Sequence, residues 1–272
     1  MCARKLITPY SRTLSEREVK VLTSLSYAGK TIFTTNDLKE FTNNPKNLLD
    51  WLVRKNWIQK IKKGTYLIAP LNAGTNGTDN YTMHSFILAS VLVEPYYIAY
   101  ASALNHHGLT DQTPNAIYVA TTKPRNSKTI LNTKIRFVTI PPHKIFATEQ
   151  ITIENRKITI SSKEKTLIDC LDHPEHCGGI EEVAKALYFA KNDLDQTKLV
   201  NFAQKIRNKT VLKRLGYLSE KLDMEKAFEA LSTLPLSSGY SLLDCSLKKR
   251  GRIVEKWKLV INVHIDPSKW TT

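Results

Sequence analysis

The chain has 272 residues, 42% of them hydrophobic and 24% charged, a composition that buries a sizeable core and excludes extended disorder. No apolar run approaches the ~20 residues of a membrane span, and the N-terminal MCARKLITPYSRT has basic residues with no apolar stretch behind them, so neither a transmembrane segment nor a signal peptide is expected. Cys2, Cys170, Cys177 and Cys245 are too sparse for a disulfide framework, which points to a reducing cytoplasm.

Forty Lys and Arg against 25 Asp and Glu give a net charge of +15. The excess is uneven: residues 1–75 hold 13 basic and 5 acidic side chains, a net of +8. A basic excess concentrated in one small segment suits a polyanion, because each Lys or Arg that meets a phosphate releases a condensed counterion.

In chain order, Ser15–Glu18 (SERE) predicts a capping box at a helix start, with Val19, Leu22 and Leu25 on its apolar face and Gly29 ending it. Thr31–Thr34 reads as a short strand, and Thr35, Asn36 and Asp37 open a second short helix through Phe41 with Leu38 inward. Asn44-Pro45 starts a third helix, with asparagine as N-cap and proline at the first helical position. Its apolar face is Leu48, Leu49, Leu52 and Val53, and Lys46, Asn47, Asp50, Arg54 and Lys55 lie on or near the other side. After Asn56 the period changes from helical to alternating: Trp57–Lys62, a Lys63-Gly64 turn, and Thr65–Ala69 returning.

That order predicts a winged helix-turn-helix. The third helix is expected in the major groove of double-stranded DNA, with Lys46 and Asn47 reading base edges. Thr35, Asn36 and Asn44 are expected to bind DNA on the same surface. Arg54, Lys55 and the wing lysines Lys60, Lys62 and Lys63 are expected to clamp the phosphate backbone.

Pro70–Asn80 (PLNAGTNGTDN) reads as a linker, dividing a DNA-binding domain over 1–75 from a second domain over 76–272. The second domain opens with a helix at Met83–Val93, a short strand, a helix capped by Ser102, a turn at Gly108 and a strand at Ala116–Thr121. Ile135–Ile140, Ile145–Ile153 and Lys157–Ile160 alternate like strands. Helical patterns follow at 162–172, 180–191, 196–206, 210–221 and 224–232, and two last strands are expected at 240–244 and 253–264. The fold class is α+β: a winged helix followed by a larger mixed α/β domain.

The segment LVRKNWIQKIKKGTYLIAP resembles the wing of AbiEi-type antitoxin regulators. YIAYASALNHHGLTDQTPNAIYVAT, KTLIDCLDHPEHCGGIEEVAKAL and VLKRLGYLSEKL are similar, in that order, to segments of that family's second domain. The resemblance implies a cytoplasmic regulator that binds inverted repeats in its own promoter and counteracts a nucleotidyltransferase-like toxin indirectly, with no cofactor. In the wing the matching residues are Lys60, Lys62, Lys63, Gly64 and Tyr66. In the second domain they are Ser102, Ala103, Leu104, His107, Gly108, Leu109, Gly178, Gly179 and Lys213–Tyr217. His107, Lys213 and Arg214 are the polar members expected on an exposed antitoxin surface. On a helix after Asn208 the apolar stripe is Val211, Leu212, Leu215 and Leu218, which leaves Lys213 on the far side and Arg214 near the edge. Arg214 is then open to contacts with a partner or to an internal bridge with Glu220 or Asp169.

Signals for catalysis are weak. Cys170, His173, His176 and Cys177 have zinc-ligand chemistry, but the spacing lacks the distant second pair of a closed site, so packing at a helix end is the expectation and no metal is assigned. Glu255 is followed by Lys256 and Lys258, which misses the Glu-x-Lys step of carboxylate–lysine nucleases. Gly178-Gly179 reads as a helix start rather than a phosphate loop. A repressor-antitoxin is therefore favoured over a nuclease targeted by a winged helix and over a regulator with a sensor domain.

Overall fold

The computed structural model describes residues 13–69, 77, 78, 81 and 83–270. Most of the linker expected at Pro70–Asn80 lies outside the described residues, as does Cys2. By Cα packing the chain divides into two units, one of Met1–His84 with Ile130–Asn132 and one of Ser85–Thr129 with Thr133–Thr272.

The first unit begins with α1 (Glu16–Tyr27). The capping box forms as predicted: the Glu18 N–H donates to Ser15 Oγ at 3.4 Å, and the Ser15 N–H donates to Glu18 Oε2 at 2.7 Å. The apolar face is Val21, Leu22 and Leu25, whereas Val19 is 43% exposed. Val19 precedes Val21 by two residues, about 200° of helix rotation, so the two cannot share a face.

Strand β1 (Ile32–Thr34) follows. The helix expected from Thr35 to Phe41 is a single 3-10 turn, Thr35–Leu38. Asp37 closes it by accepting from the Thr34 N–H and Oγ1, each at 2.7 Å. Pro45 then opens α2 (Pro45–Arg54) at its first position. Asn44 occupies the N-cap position but its side chain makes no cap bond; instead its N–H donates to Thr42 Oγ1 at 3.0 Å.

Asn56 (φ 56°) leaves the helix in the left-handed region. Strands β2 (Ile58–Lys62) and β3 (Thr65–Ile68) form the predicted hairpin around Gly64, whose φ of 72° favours glycine. The sheet is antiparallel in the order β1-β3-β2, with Ile32 opposite Leu67 and Lys60 opposite Tyr66. A register slip between Lys60 and Lys62 turns Ile61 into the interior, where it is fully buried. Val21, Leu25, Phe33, Leu38, Leu49, Leu52 and Ile58 form the core of this unit.

The second unit is built on a mixed sheet. Its elements are α3 (Ser85–Leu92), β4 (Tyr96–Ile98), α4 (Tyr100–His106), β5 (Ile117–Thr121), β6 (Lys128–Ile130), β7 (Thr133–Thr139), β8 (Thr148–Ile153) and β9 (Arg156–Ser161). Strand order is β6-β7-β5-β4-β9-β8, parallel between β5 and β7 and between β4 and β9, antiparallel between β4 and β5 and between β8 and β9. Sequence periodicity predicts no strand at β6. Ser102 is not a cap: α4 starts after Ala99, and Ser102 lies buried within the helix. Its Oγ accepts from the Tyr118 N–H at 2.9 Å and donates to the Ala116 carbonyl at 3.4 Å, pinning α4 to the segment entering β5.

Helices α5 (Lys163–Asp172), α6 (Ile180–Ala190), α7 (Gln196–Lys205), α8 (Lys209–Lys221) and α9 (Glu225–Ser232) complete the unit, close to their predicted bounds. Helix α5 packs against α4, α6, α7 and α8 and is buried along nearly all its length. The strand expected over 253–264 is instead a hairpin, β11 (Arg252–Val254) and β12 (Leu259–Ile261), because the chain turns at Glu255–Lys258, with Lys258 at φ 50°. A short β10 (Ser241–Leu242) pairs parallel to β12.

Candidate nucleic-acid interface

Helix α2 is amphipathic, and its outer side carries the chemistry. Leu48, Leu49 and Leu52 are buried, and Lys46, Asn47, Asp50 and Arg54 are exposed. Asn44 and Asn36 are exposed beside them, and Lys60 and Lys63 are exposed on the hairpin with Lys62 half-buried. Thr35 has a structural task. Its N–H and Oγ1 both donate to the Gly64 carbonyl, at 3.0 and 3.3 Å, so the 3-10 turn holds the tip of the hairpin.

Lys55 is a correction to the sequence reading. The helical pattern makes it a phosphate clamp, but its Nζ lies 2.7 and 2.9 Å from the two carboxylate oxygens of Glu18, and the side chain is only 17% exposed. It ties the end of α2 to the first turn of α1. Burial pushes the Glu18 carboxyl pKa up, but the hydrogen bonds from Lys55 and Ser15 outweigh it and hold the group below its ordinary value. Asp37 behaves similarly: hydrogen bonds from Lys30, then from Thr34, pull its carboxyl down to about 2.

Sequence reasoning missed Trp51. It is 46% exposed on the outer side of α2, with the Arg54 guanidinium 5.3 Å from its ring centre. An indole on the polar face, three residues before an arginine, was the available signal; it offers an apolar surface for a thymine methyl or a sugar.

The expected antitoxin surface in the second unit is overturned as a surface. Lys213 is fully buried and its Nζ donates to the Gly239 carbonyl; burial, then the nearby Lys258, pushes its ammonium pKa down. Arg214 is buried too. Its Nη1 donates to the carbonyls of Leu171 (2.6 Å) and Asp172 (3.4 Å), and its Nη2 and Nε donate to Leu242 O at 3.2 and 3.3 Å. Leu171 and Asp172 end α5, so Arg214 caps that helix with positive charge at its negative end. The stripe argument fails because α8 is covered on more than one side: α5, α7 and α9 pack on it, and carbonyls of the 239–242 segment meet its polar side chains. His107 is mostly covered, its Nε2 donating to the Ser161 carbonyl at 2.7 Å.

Two other polar groups in this unit are structural. Lys165 is fully buried, ion-paired with Asp169, bonded to Tyr97 Oη at 3.1 Å and 4.8 Å from the centre of the Phe146 ring. Asp244 accepts from the Ile180 N–H at 2.8 Å and so caps α6 from 64 residues away in sequence. Cys170 and Cys177 are buried, which removes them from solvent as ligands. Among the described residues, His173, Glu175 and His176 do bring ligand atoms within 4.8 Å of one another. Burial of the His176 imidazole pushes its pKa down.

A capped helix, a 3-10 turn, an amphipathic helix with an exposed polar side and a basic hairpin of a three-stranded sheet make a winged-helix unit, followed in the same chain by a larger mixed α/β unit. The family profile of the transcriptional regulator, AbiEi antitoxin, matches residues 26–69, and that of the AbiEi antitoxin C-terminal domain matches residues 96–221. The chain belongs to the AbiEi antitoxin family of transcriptional regulators. The fold is similar to that in the crystal structure of the RV2827C protein from Mycobacterium tuberculosis, at 15% identity and a TM-score of 0.68 over 92% of each chain. No curated protein matches the sequence.

Proposed function

We propose that the protein is a DNA-binding repressor and antitoxin that autoregulates its own operon. In this reading the first unit binds inverted-repeat double-stranded DNA in its own promoter. The second unit counteracts a nucleotidyltransferase-like toxin in the cytoplasm, indirectly and without catalysis. The observation that carries the DNA-binding part is the outer face of α2: Lys46, Asn47, Trp51 and Arg54 stand exposed while the leucines behind them are buried. Family membership supports the antitoxin part. Among the described residues no helix is long and apolar enough to cross a membrane.

The test is fluorescence anisotropy of the full chain on duplexes from its own upstream region, across a salt series. Affinity should fall steeply with salt, and Asn47→Ala should change the preference among duplexes more than the affinity for all of them. Salt-independent binding, or an Asn47→Ala protein with unaltered preference, contradicts the assignment of α2 as the reading helix.

A further inference from the structure

We propose that His173, Glu175 and His176 form a binding site for a first-row transition-metal dication of the zinc type. The three side chains follow the end of α5, on and beside the 3-10 turn Pro174–His176. Their ligand atoms, two imidazole nitrogens and a carboxylate oxygen, lie within 4.8 Å of one another. Tetrahedral zinc at 2.0–2.1 Å from its ligands needs separations of about 3.4 Å, so closure takes side-chain rotation rather than backbone movement. His173 Nδ1 and Glu175 Oε1 are now 3.0 Å apart, a hydrogen-bond distance that opens by about 0.4 Å when the metal takes the place of the shared proton.

Neighbouring groups limit the rotation that closure needs, as the surroundings of metal sites do. The other nitrogen of His173, Nε2, lies 3.4 Å from Asp172 Oδ2, an oxygen that also pairs with Lys144, so a carboxylate stands behind the imidazole within reach to orient it. The second oxygen of Glu175, Oε2, accepts from the Cys245 thiol at 3.1 Å, which leaves Oε1 turned to the histidine. The two imidazoles stack at 5.7 Å between ring centres, and the Tyr100 ring meets both edge-on, at 6.1 Å from His173 and 5.3 Å from His176. Tyr100 is itself buried, so it is a rigid backing.

Access is open from solvent, because His173 and Glu175 keep 34% and 36% of their side-chain surface. Glu175 and His176 also line a cavity of about 360 Å³ that includes Gln112, Asn115, Tyr118 and Arg136. Three protein ligands leave a fourth position for water or a small anionic ligand. Imidazole and carboxylate together suit zinc, cobalt or nickel, and not magnesium, which prefers oxygen alone.

The test uses full-length protein, free of any histidine tag and stripped with chelator. Zn²⁺ titrated by calorimetry should bind at one site per chain and raise the melting temperature, while Mg²⁺ at the same concentration should do neither. His173→Gln and Glu175→Gln, both partly exposed and expected to fold, should each weaken Zn²⁺ at least about tenfold, and Cys245→Ser should retain stoichiometric binding. His176→Ala should do the same as His173→Gln wherever its metal-free melting temperature shows it folded. Absence of stoichiometric Zn²⁺ binding, or binding unchanged in a His173→Gln/Glu175→Gln double variant, overturns the site.

Discussion

Gly216, in the middle of α8, faces the indole of Trp257 so closely that a Cβ at that position would lie 2.1 Å from Trp257 Cζ3. Two effects oppose each other there. Alanine is better than glycine in a helix interior by about 1 kcal/mol, so an exposed Gly→Ala change stabilises. Here the methyl has no room, and Trp257 is 1% exposed and anchored by its Nε1 donating to Glu220 Oε2 at 2.6 Å. Overpacking a close-packed core costs about 1–3 kcal/mol, which exceeds the propensity gain at its upper range. Gly216→Ala should lower stability by up to about 2 kcal/mol in urea unfolding of the full chain. A variant more stable than the parent would mean that the indole yields.

Arg214 gives a second stability prediction, opposite in kind to that of an exposed residue. Arg214→Ala leaves the carbonyls of Leu171, Asp172 and Leu242 without their donor, in a buried setting. Each unpaired buried polar group costs about 1–3 kcal/mol, so three stranded carbonyls predict a total loss of at least about 3 kcal/mol. Lysine lacks the planar fork that reaches both segments, and Arg214→Lys should recover little of it. Melting temperatures of the two variants check this. A loss of antitoxicity in Arg214→Ala with the melting temperature unchanged would restore the surface reading.

What the sequence made legible follows from how local the cause is. The Ser15–Glu18 box, Pro45 at a helix start and the Lys63-Gly64 turn are decided within four residues, and each stands in the structure. The helical periods of α5 to α9, set by their own apolar repeats, are legible to within a residue or two. The errors have non-local causes. Lys55 reads as a phosphate clamp because Glu18, its partner, lies 37 residues earlier. Lys213 and Arg214 read as exposed because the carbonyls they bond come from residues 171–172 and 239–242, far off in sequence. The same reason hides the neighbour of Glu175, Cys245, from any search by spacing.

Asp37 predicts a pH dependence. Its folded pKa, pulled down to about 2, lies below the ordinary aspartate value of about 4. A depressed carboxyl contributes stability that is present above its unfolded pKa and is lost as pH falls toward the folded one. Asp37 also closes the turn before α2 by accepting from Thr34, a role an asparagine oxygen can still fill, so Asp37→Asn removes chiefly the charge. Asp37→Asn should therefore be less stable than the parent at pH 7, and the two should converge between about pH 5 and pH 2. Thermal unfolding across that range measures it. A difference that persists unchanged at the acid end would assign the effect to packing rather than charge.

The last prediction separates regulation from protection. Among the described residues, Lys62 and Lys63 on the hairpin form no salt bridge with a carboxylate, whereas Lys55 is committed to Glu18. Surface substitutions that break no ion pair or buried contact usually stay within about 0.5 kcal/mol, so Lys62→Ala/Lys63→Ala, at one half-buried and one exposed position, should melt close to the parent. Every phosphate that a lysine no longer neutralises should reduce the slope of log affinity against log salt by about 0.9, a change of about 2 if both lysines meet the backbone. Affinity should fall alike on all duplexes, since interactions with the phosphate backbone carry no base preference. In cells the double variant should lose repression of its own promoter and still protect against the co-expressed toxin. Lys55→Ala should behave differently: it strands Glu18, lowers stability, and weakens DNA binding only through partial unfolding, with the salt slope of the folded fraction unchanged. A folded Lys62→Ala/Lys63→Ala protein that fails to protect would show that protection runs through DNA binding, and the two tasks would not be separable.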